Sequence, residues 1–292
     1  PFSFPTPVND QSPFEVALKK IPSGMKGVVF HGKGTTQVGA DRLRVSVDYA
    51  YELVSRSTDD KVISGFYETG DIAIGGYQGE EGRYVAFISV TAGLEGNNGK
   101  FRQVFWRDRN TGITKLISVS ASGQQGNADS YAPSLSADGK RLVFESNASN
   151  LVDGDNNNVK DIFIWDAQTN RIELVSRTAT GSFPDAESFD AAISGNGQFV
   201  VFTSSASNLA GIPKGQSITN VFIRDLAQSG TTMISIDPST GSGGNGGKGS
   251  ISFDGTRATF SSATNGLVAN DQNGQWDIFL WQKGQSPLRR VS

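Results

Sequence analysis

The loop Asp153-Gly154-Asp155-Asn156-Asn157-Asn158-Val159-Lys160-Asp161 carries oxygen-bearing side chains at its first, third, fifth and ninth positions. With the Val159 carbonyl at the seventh, that alternation can wrap a hard cation. Ca2+ takes about six to eight oxygens at roughly 2.3–2.6 Å, and alternate residues of a tight loop can point them inward. The metal candidates are therefore Asp153, Asp155, Asn157, Val159 and Asp161. A thinner second set stands at Asp271, Asn273 and Asp277, where Ala269 holds the first position. Asn158 occupies the bend, a place for a residue that tolerates left-handed backbone. The competing reading is that Asp161 and Asp277 cap the turn into a strand and the rest of the loop is solvated.

Two further sets recur along the chain. Glu15, Asp71, Asp129, Glu187 and Asn245 follow one another at near-constant spacing, so a repeating fold would bring them to one level, where four acids and an amide can draw a cation or a basic peptide. Glu15, Asp129 and Glu187 can also be cast as the acid and base of a glycoside hydrolase, although a catalytic set normally breaks a repeat and these residues keep its register. Turn formation is the plainer role. Arg107, Trp165, Arg224 and Trp281 form the other set, expected on the strand face opposite the nearby phenylalanines and exposed there as anchors for a partner or a sugar. Packing between neighbouring sheets is the alternative. Other chemistry is thinly supplied: His31 is the only histidine, there is no Gly-x-Ser-x-Gly segment and there are no cysteines. A serine triad, a thiol nucleophile and a zinc site are all poorly served. No catalytic residue is expected.

The elements that hold these sets are repeats. Ile21–Phe30, Gln78–Phe87, Leu135–Phe144, Ile193–Phe202 and Ile251–Phe260 each end in phenylalanine, at spacings of 57 to 58 residues. An apolar pair followed by serine recurs at Leu53-Val54-Ser55, Leu116-Ile117-Ser118, Leu174-Val175-Ser176 and Met233-Ile234-Ser235, and weakly at Arg290-Val291-Ser292. A fixed period of this length signals a tandem architecture. In the third repeat, Ala132–Ser136 and Arg141–Ser146 read as strands joined by Asp138-Gly139, a dipeptide suited to a type I′ hairpin. Strands over Asp161–Trp165 and Ile172–Ser176 complete a four-stranded meander, and no stretch has a useful helical period. The fold class is therefore all-β: a five-bladed β-propeller of four-stranded antiparallel blades at about 13–58, 59–121, 122–179, 180–237 and 238–292. The proline-rich residues 1–12 are read as an extended segment outside the repeats. Phenylalanines closing each second strand, with Val104-Phe105, Ile162-Phe163, Val221-Phe222 and Ile278-Phe279, are the expected core.

The segments Ser136-Ala-Asp-Gly-Lys-Arg-Leu-Val-Phe-Glu-Ser146, Asp161-Ile-Phe-Ile-Trp-Asp166 and Glu173-Leu-Val-Ser176 resemble the TolB-like propeller repeat, related in architecture to WD-type repeats. The resemblance covers nearly the whole chain and is plainest in the third repeat. It implies a propeller of the kind found in periplasmic Tol-system proteins, in secreted bacterial proteins and as lid domains of serine peptidases, whose catalysis sits in a separate hydrolase domain. Fold alone does not fix function. The expected role is a non-catalytic binding or scaffold propeller that engages a protein partner, as one subunit of a larger envelope or surface assembly stabilised by calcium. A carbohydrate-binding propeller and a carboxylate-based glycoside hydrolase are the alternatives.

A net charge of -3, with both signs scattered, gives no footprint for nucleic acid. No apolar run approaches the roughly 18 residues of a spanning helix, so membrane insertion is not expected. A periplasmic or extracellular location is expected, and Pro1 in first place is read as the mark of a processed or trimmed chain. No organic cofactor is implied.

Overall fold

The computed structural model describes residues 54–59, 71–209, 219–271, 273–285 and 288–292, together with the backbone of four short strands earlier in the chain. Two bodies result, Pro1–Leu53 and Val54–Ser292. In the first are β1 (Pro13–Glu15), β2 (Met25–Phe30), β3 (Lys33–Thr35) and β4 (Arg44–Tyr49); β1 pairs antiparallel with β3, and β2 with β4. Residues 1–12, His31 and the Glu15 side chain lie outside the described residues.

The second body holds four sheets of four antiparallel strands, each a meander in chain order. They are β5 (Ile72–Gly75), β6 (Tyr84–Ser89), β7 (Gln103–Asp108) and β8 (Ile113–Leu116); β9 (Ser130–Leu135), β10 (Arg141–Ser146), β11 (Asp161–Asp166) and β12 (Arg171–Leu174); β13 (Ser188–Ile193), β14 (Phe199–Ser204), β15 (Asn220–Asp225) and β16 (Gly230–Met233); and β17 (Gly246–Ile251), β18 (Arg257–Ser262), β19 (Asp277–Gln282) and β20 (Arg289–Arg290). They correspond to the second to fifth sequence repeats and are called blades two to five after them; the first repeat shows two two-stranded pairings, not a four-stranded meander, among the described residues. Leu94–Gly96 is the one helical turn among the described residues. Each sheet's first strand packs on the first strand of the next, β5 on β9, β9 on β13 and β13 on β17. The first strands thus share an inner edge, as propeller blades require.

The burial pattern explains why a middle blade reads as it does. β10 and β14 are buried along nearly their whole length because both faces meet another blade, whereas the outer strand β12 has no buried residue. At each blade's centre two phenylalanines from directly paired positions stack: Phe87 on Phe105, Phe144 on Phe163, Phe202 on Phe222 and Phe260 on Phe279, with centroids 5.4 to 5.8 Å apart. All eight are almost fully buried, and such a pair is worth about 0.5–1.5 kcal/mol beyond its area. Three apolar clusters then join blade two to three, three to four and four to five.

The Asp138-Gly139 hairpin differs from the type I′ form expected. Only Gly139 has positive φ, at 67°, and its N–H bonds the Ser136 carbonyl at 2.9 Å. This is a type I turn followed by a left-handed glycine. Asp138 fixes it instead of entering left-handed space itself, accepting bonds from Ser136 Oγ and the Lys140 N–H. Asn196 and Asp254 do the same in blades four and five.

Arg107, Trp165, Arg224 and Trp281 require a correction, for they do not stand exposed opposite the phenylalanines. Each lies two residues after Phe105, Phe163, Phe222 or Phe279, and a two-residue step along a strand returns to the same face. Trp165 is 2% exposed, Arg107 4% and Arg224 2%, and Trp281 is half-buried against the core between blades four and five. They pack between blades, which removes them as surface anchors.

Candidate functional site

The inner edge is the place where the repeat brings chemistry together. Asp71, Asp129, Glu187 and Asn245 stand one residue before β5, β9, β13 and β17, as their spacing requires. Their surroundings differ. The Asp71 carboxylate accepts the Ala132 N–H of the next blade at 2.9 Å. Asp129 accepts the Arg102 N–H at 2.8 Å and the Tyr131 hydroxyl at 3.0 Å, and pairs with the Arg102 guanidinium at 3.3 Å. Asn245 accepts from Thr219 Oγ1 at 2.7 Å. Glu187 is exposed, and among the described residues nothing bonds its carboxylate.

Just inside this level, three inner strands carry the same irregularity. Pairing slips at Ala132-Pro133, Asp190-Ala191 and Lys248-Gly249, and Ala132, Asp190 and Lys248 take positive φ of 47°, 53° and 40°. Left-handed backbone costs about 1 kcal/mol or more in a residue that is not glycine. Neighbouring blades hold two of the bulges: besides Asp71 on Ala132, the buried Glu145 accepts the Asp190 N–H at 2.7 Å and pairs with Lys160 at 2.9 Å. Bulges re-aim side chains, and here they turn Asp190 and Lys248 outward into solvent.

The 153–161 loop is built around a buried acid. Asp161 is fully enclosed, with Ser176 Oγ donating to one carboxylate oxygen at 2.7 Å and Asn157 Nδ2 to the other at 2.8 Å. Burial pushes its carboxyl up to about 6, with a smaller upward push from the Asp155 charge, while the two donors oppose the rise. Burial likewise raises Asp155. Asp153 is exposed. Asn158 has φ of 56°, the left-handed bend its residue type suggested. Asn157 presents its amide N–H2 to Asp161 and its oxygen to the Val159 N–H. In blade five a guanidinium lies among the corresponding acids: Arg290 sits 3.2 Å from Asp271 and 3.7 Å from Asp277, and Asn273 and Ser292 donate to Asp277. No group of three or more His, Cys, Asp and Glu side chains converges as metal ligands among the described residues.

The serine landmark has a role that its recurrence announced without explaining. Ser118, Ser176, Ser235 and Ser292 each donate to the first side chain of their blade's third strand, Gln103, Asp161, Asn220 and Asp277. The same hydroxyls accept the next backbone N–H, from Val104, Ile162, Val221 and Ile278, at 2.9 to 3.1 Å. One hydroxyl thus stitches the end of each blade to its third strand. Glutamine, aspartate and asparagine all serve at the acceptor position. The constant 15-residue separation of acceptor and serine was the available signal.

No protein-family model and no curated protein matches the chain. Among solved structures it is similar to TolB from Acinetobacter baumannii, at 16% identity over 77% of this chain and 44% of that one, with a TM-score of 0.45. It is also similar to the β-propeller domain of the Trilobed protease from Pyrococcus furiosus, at 14% identity, 78% and 58% coverage and a TM-score of 0.45. A third likeness is to an acylaminoacyl peptidase from Pyrococcus horikoshii, at 14% identity, 81% and 34% coverage and a TM-score of 0.43. The chain spans less than two thirds of the length of each of these structures. At this level the likenesses assign no function, and the propeller architecture rests on the meanders and their shared inner edge.

Proposed function

We propose that the protein is a non-catalytic, extracytoplasmic binding propeller that engages a protein partner through the inner edge of its blades. The observation that carries this reading is the pair Glu187 and Asp190. Both are exposed at the start of blade four's inner strand, and the Asp190 N–H is fixed by Glu145. Neither carboxylate is engaged within the described residues. They suit a lysine-, arginine- or amine-bearing segment of a partner. Catalysis by paired carboxylates is disfavoured because Asp129 is committed to Arg102 and Tyr131, and Asp71 to the backbone of blade three. Calcium at 153–161 belongs to the same proposal: burial raises both Asp155 and Asp161, and a divalent cation would relieve that charge, provided Asn157 rotates its amide.

The test is co-purification and cross-linking of partners from the native envelope, using the wild type and a Glu187→Lys/Asp190→Lys double variant. The variant should keep its melting temperature, because both side chains are solvated, and lose the captured partner. Unchanged capture would overturn the inner-edge reading. A second reading, carbohydrate binding, is favoured by a cavity of about 880 Å³ between blades two and three, walled by Asn98, Lys100, Phe101, Gln124 and Asn127. Saturable binding on a glycan array, with no partner captured, would favour it.

A further inference from the structure

Between blades three and four lies a smaller cavity of about 310 Å³ whose lining includes Arg141, Arg171, Arg177 and Arg224. The carboxylates at its wall are Asp166 and Glu173. Asp166 is already paired with Arg141 at 3.0 Å, and Glu173 is exposed. Arg224 is the unusual member. It is 2% exposed, and its bond within the described residues is from Nη1 to Thr231 Oγ1 at 2.8 Å. No carboxylate of the described residues lies within ion-pair distance of it. Beside it stands Arg177, which donates to Ser229 Oγ at 3.2 Å and whose Nε is buried without a partner. Burial, and then the Arg177 charge, lowers the Arg224 guanidinium to about 10, while the Asp225 carboxylate opposes the fall.

Blade two supplies an internal comparison. Arg107 and Thr114 occupy the positions of Arg224 and Thr231. There the buried guanidinium is surrounded by acceptors: Thr114 Oγ1 and the Gly112 carbonyl at 2.8 Å, and the Arg56 and Ser57 carbonyls at 3.4 Å. In blades three and five the position holds Trp165 and Trp281. So the fold can fill this place with an indole or set several oxygen acceptors around one guanidinium nitrogen of an arginine. At blade four it does neither, leaving two adjacent cations facing a cavity. Arg224 keeps one neutral acceptor, Thr231 Oγ1; a buried cation with no anionic partner is costly, and the group that would complete the arrangement is an anion with several oxygens.

We propose that the cavity between blades three and four is an oxyanion site in which Arg224 and Arg177 together bind a phosphate or sulfate group. The volume exceeds that of the bare tetrahedral ion, and Leu174 and Leu226 on the wall offer an apolar surface to the organic part of a phosphate or sulfate ester. The site stands apart from the inner edge, and its test is independent of partner capture.

Thermal unfolding and calorimetric titration with inorganic phosphate, sulfate and acetate, each against chloride at equal ionic strength, measure it. Phosphate or sulfate should raise the wild-type melting temperature by about 2–4 °C, on the order of 1 kcal/mol for a body of this size, and acetate by less. Arg224→Met should melt no lower than the wild type in chloride, because it removes a buried charge with no carboxylate in ion-pair distance among the described residues, and should lose the anion-dependent shift. Arg177→Gln, at a half-exposed position, should fold normally and lose most of the shift. Equal shifts in the wild type and in Arg177→Gln would show a general salt effect and overturn the site. So would an Arg224→Met protein that melts well below the wild type in chloride, since the guanidinium would then be a structural asset. If Arg224→Met does not fold, that outcome counts against the proposal in the same way.

Discussion

Asp161→Asn isolates what the buried carboxylate of the 153–161 loop costs the fold. In the wild type the group is pushed from the ordinary 3.8 to about 6, and at about 1.36 kcal/mol per pH unit the folded state is penalised by roughly 3 kcal/mol whenever the group is ionised in both states. The penalty applies in full above the folded value. As pH falls through about 6 the folded protein takes up the proton first, wild-type stability rises, and the gain is complete near 3.8. Asparagine removes the penalty and keeps an oxygen for Ser176, as Asn220 does for Ser235 in blade four. It forfeits the Asn157 amide bond, at about 1 kcal/mol. The net expectation is a variant more stable than the wild type by about 1–2 kcal/mol near pH 7.5 in chelator, with the difference gone by about pH 4. Urea unfolding followed by tryptophan fluorescence at the two pH values measures it. A variant less stable than the wild type near pH 7.5 in chelator would refute the burial reasoning. Repeating the series in saturating calcium tests the cation: binding at this loop would raise the wild type above the variant, and the variant would not respond.

Two further substitutions probe the frame. Gly139 and Gly197 share a left-handed φ, 67° and 72°, but a Cβ on Gly139 would run into the Tyr84 ring, whereas one on Gly197 meets the movable Cδ of Arg141 at 3.2 Å. Gly139→Ala should cost about 2–4 kcal/mol and Gly197→Ala about 1 kcal/mol in chemical denaturation; equal costs would mean that backbone strain alone matters. Ser235→Ala removes the acceptor for the Val221 N–H at 2.9 Å and orphans a buried donor, so a loss of about 1–3 kcal/mol is expected, with faster hydrogen exchange at Val221 as its local signature.

The frame was legible because its signals are local and repeated. A phenylalanine at a fixed period, an Asp-Gly or Asn-Gly before it and a serine after the fourth strand mark each of blades three to five, and β10 begins and ends where the sequence pattern places it. What stayed hidden depends on neighbours. The bulges fall on alanine, aspartate and lysine, of which only aspartate leans toward left-handed backbone, and two of them persist because an acid from the preceding blade holds the N–H. That tertiary support is absent from any single repeat. The Arg/Trp set was misplaced for a simpler reason: the offset of two residues from the phenylalanines already fixed its face. The loop acids were visible as a spacing, but the meaning of Asp161 required seeing Gln103 and Asn220 perform the same hydrogen bonding without a charge.

Three apolar clusters of the second body are each shared by blades adjacent in sequence, and this has a consequence for synthesis. Blade three leaves the ribosome with Phe144, Phe163 and Trp165 already covered by blade two, while Val143, Ile162 and Ile164 wait for Val200, Phe202 and Phe222 of blade four. The wait is one repeat of 58 residues, about 3–12 s at ordinary elongation rates. At every stage the nascent chain shows the same kind of sticky edge in the same place. A chaperone serving this protein therefore meets one recurring epitope, moved along by one blade at a time, and a pause in translation is most hazardous just after a fourth strand has emerged.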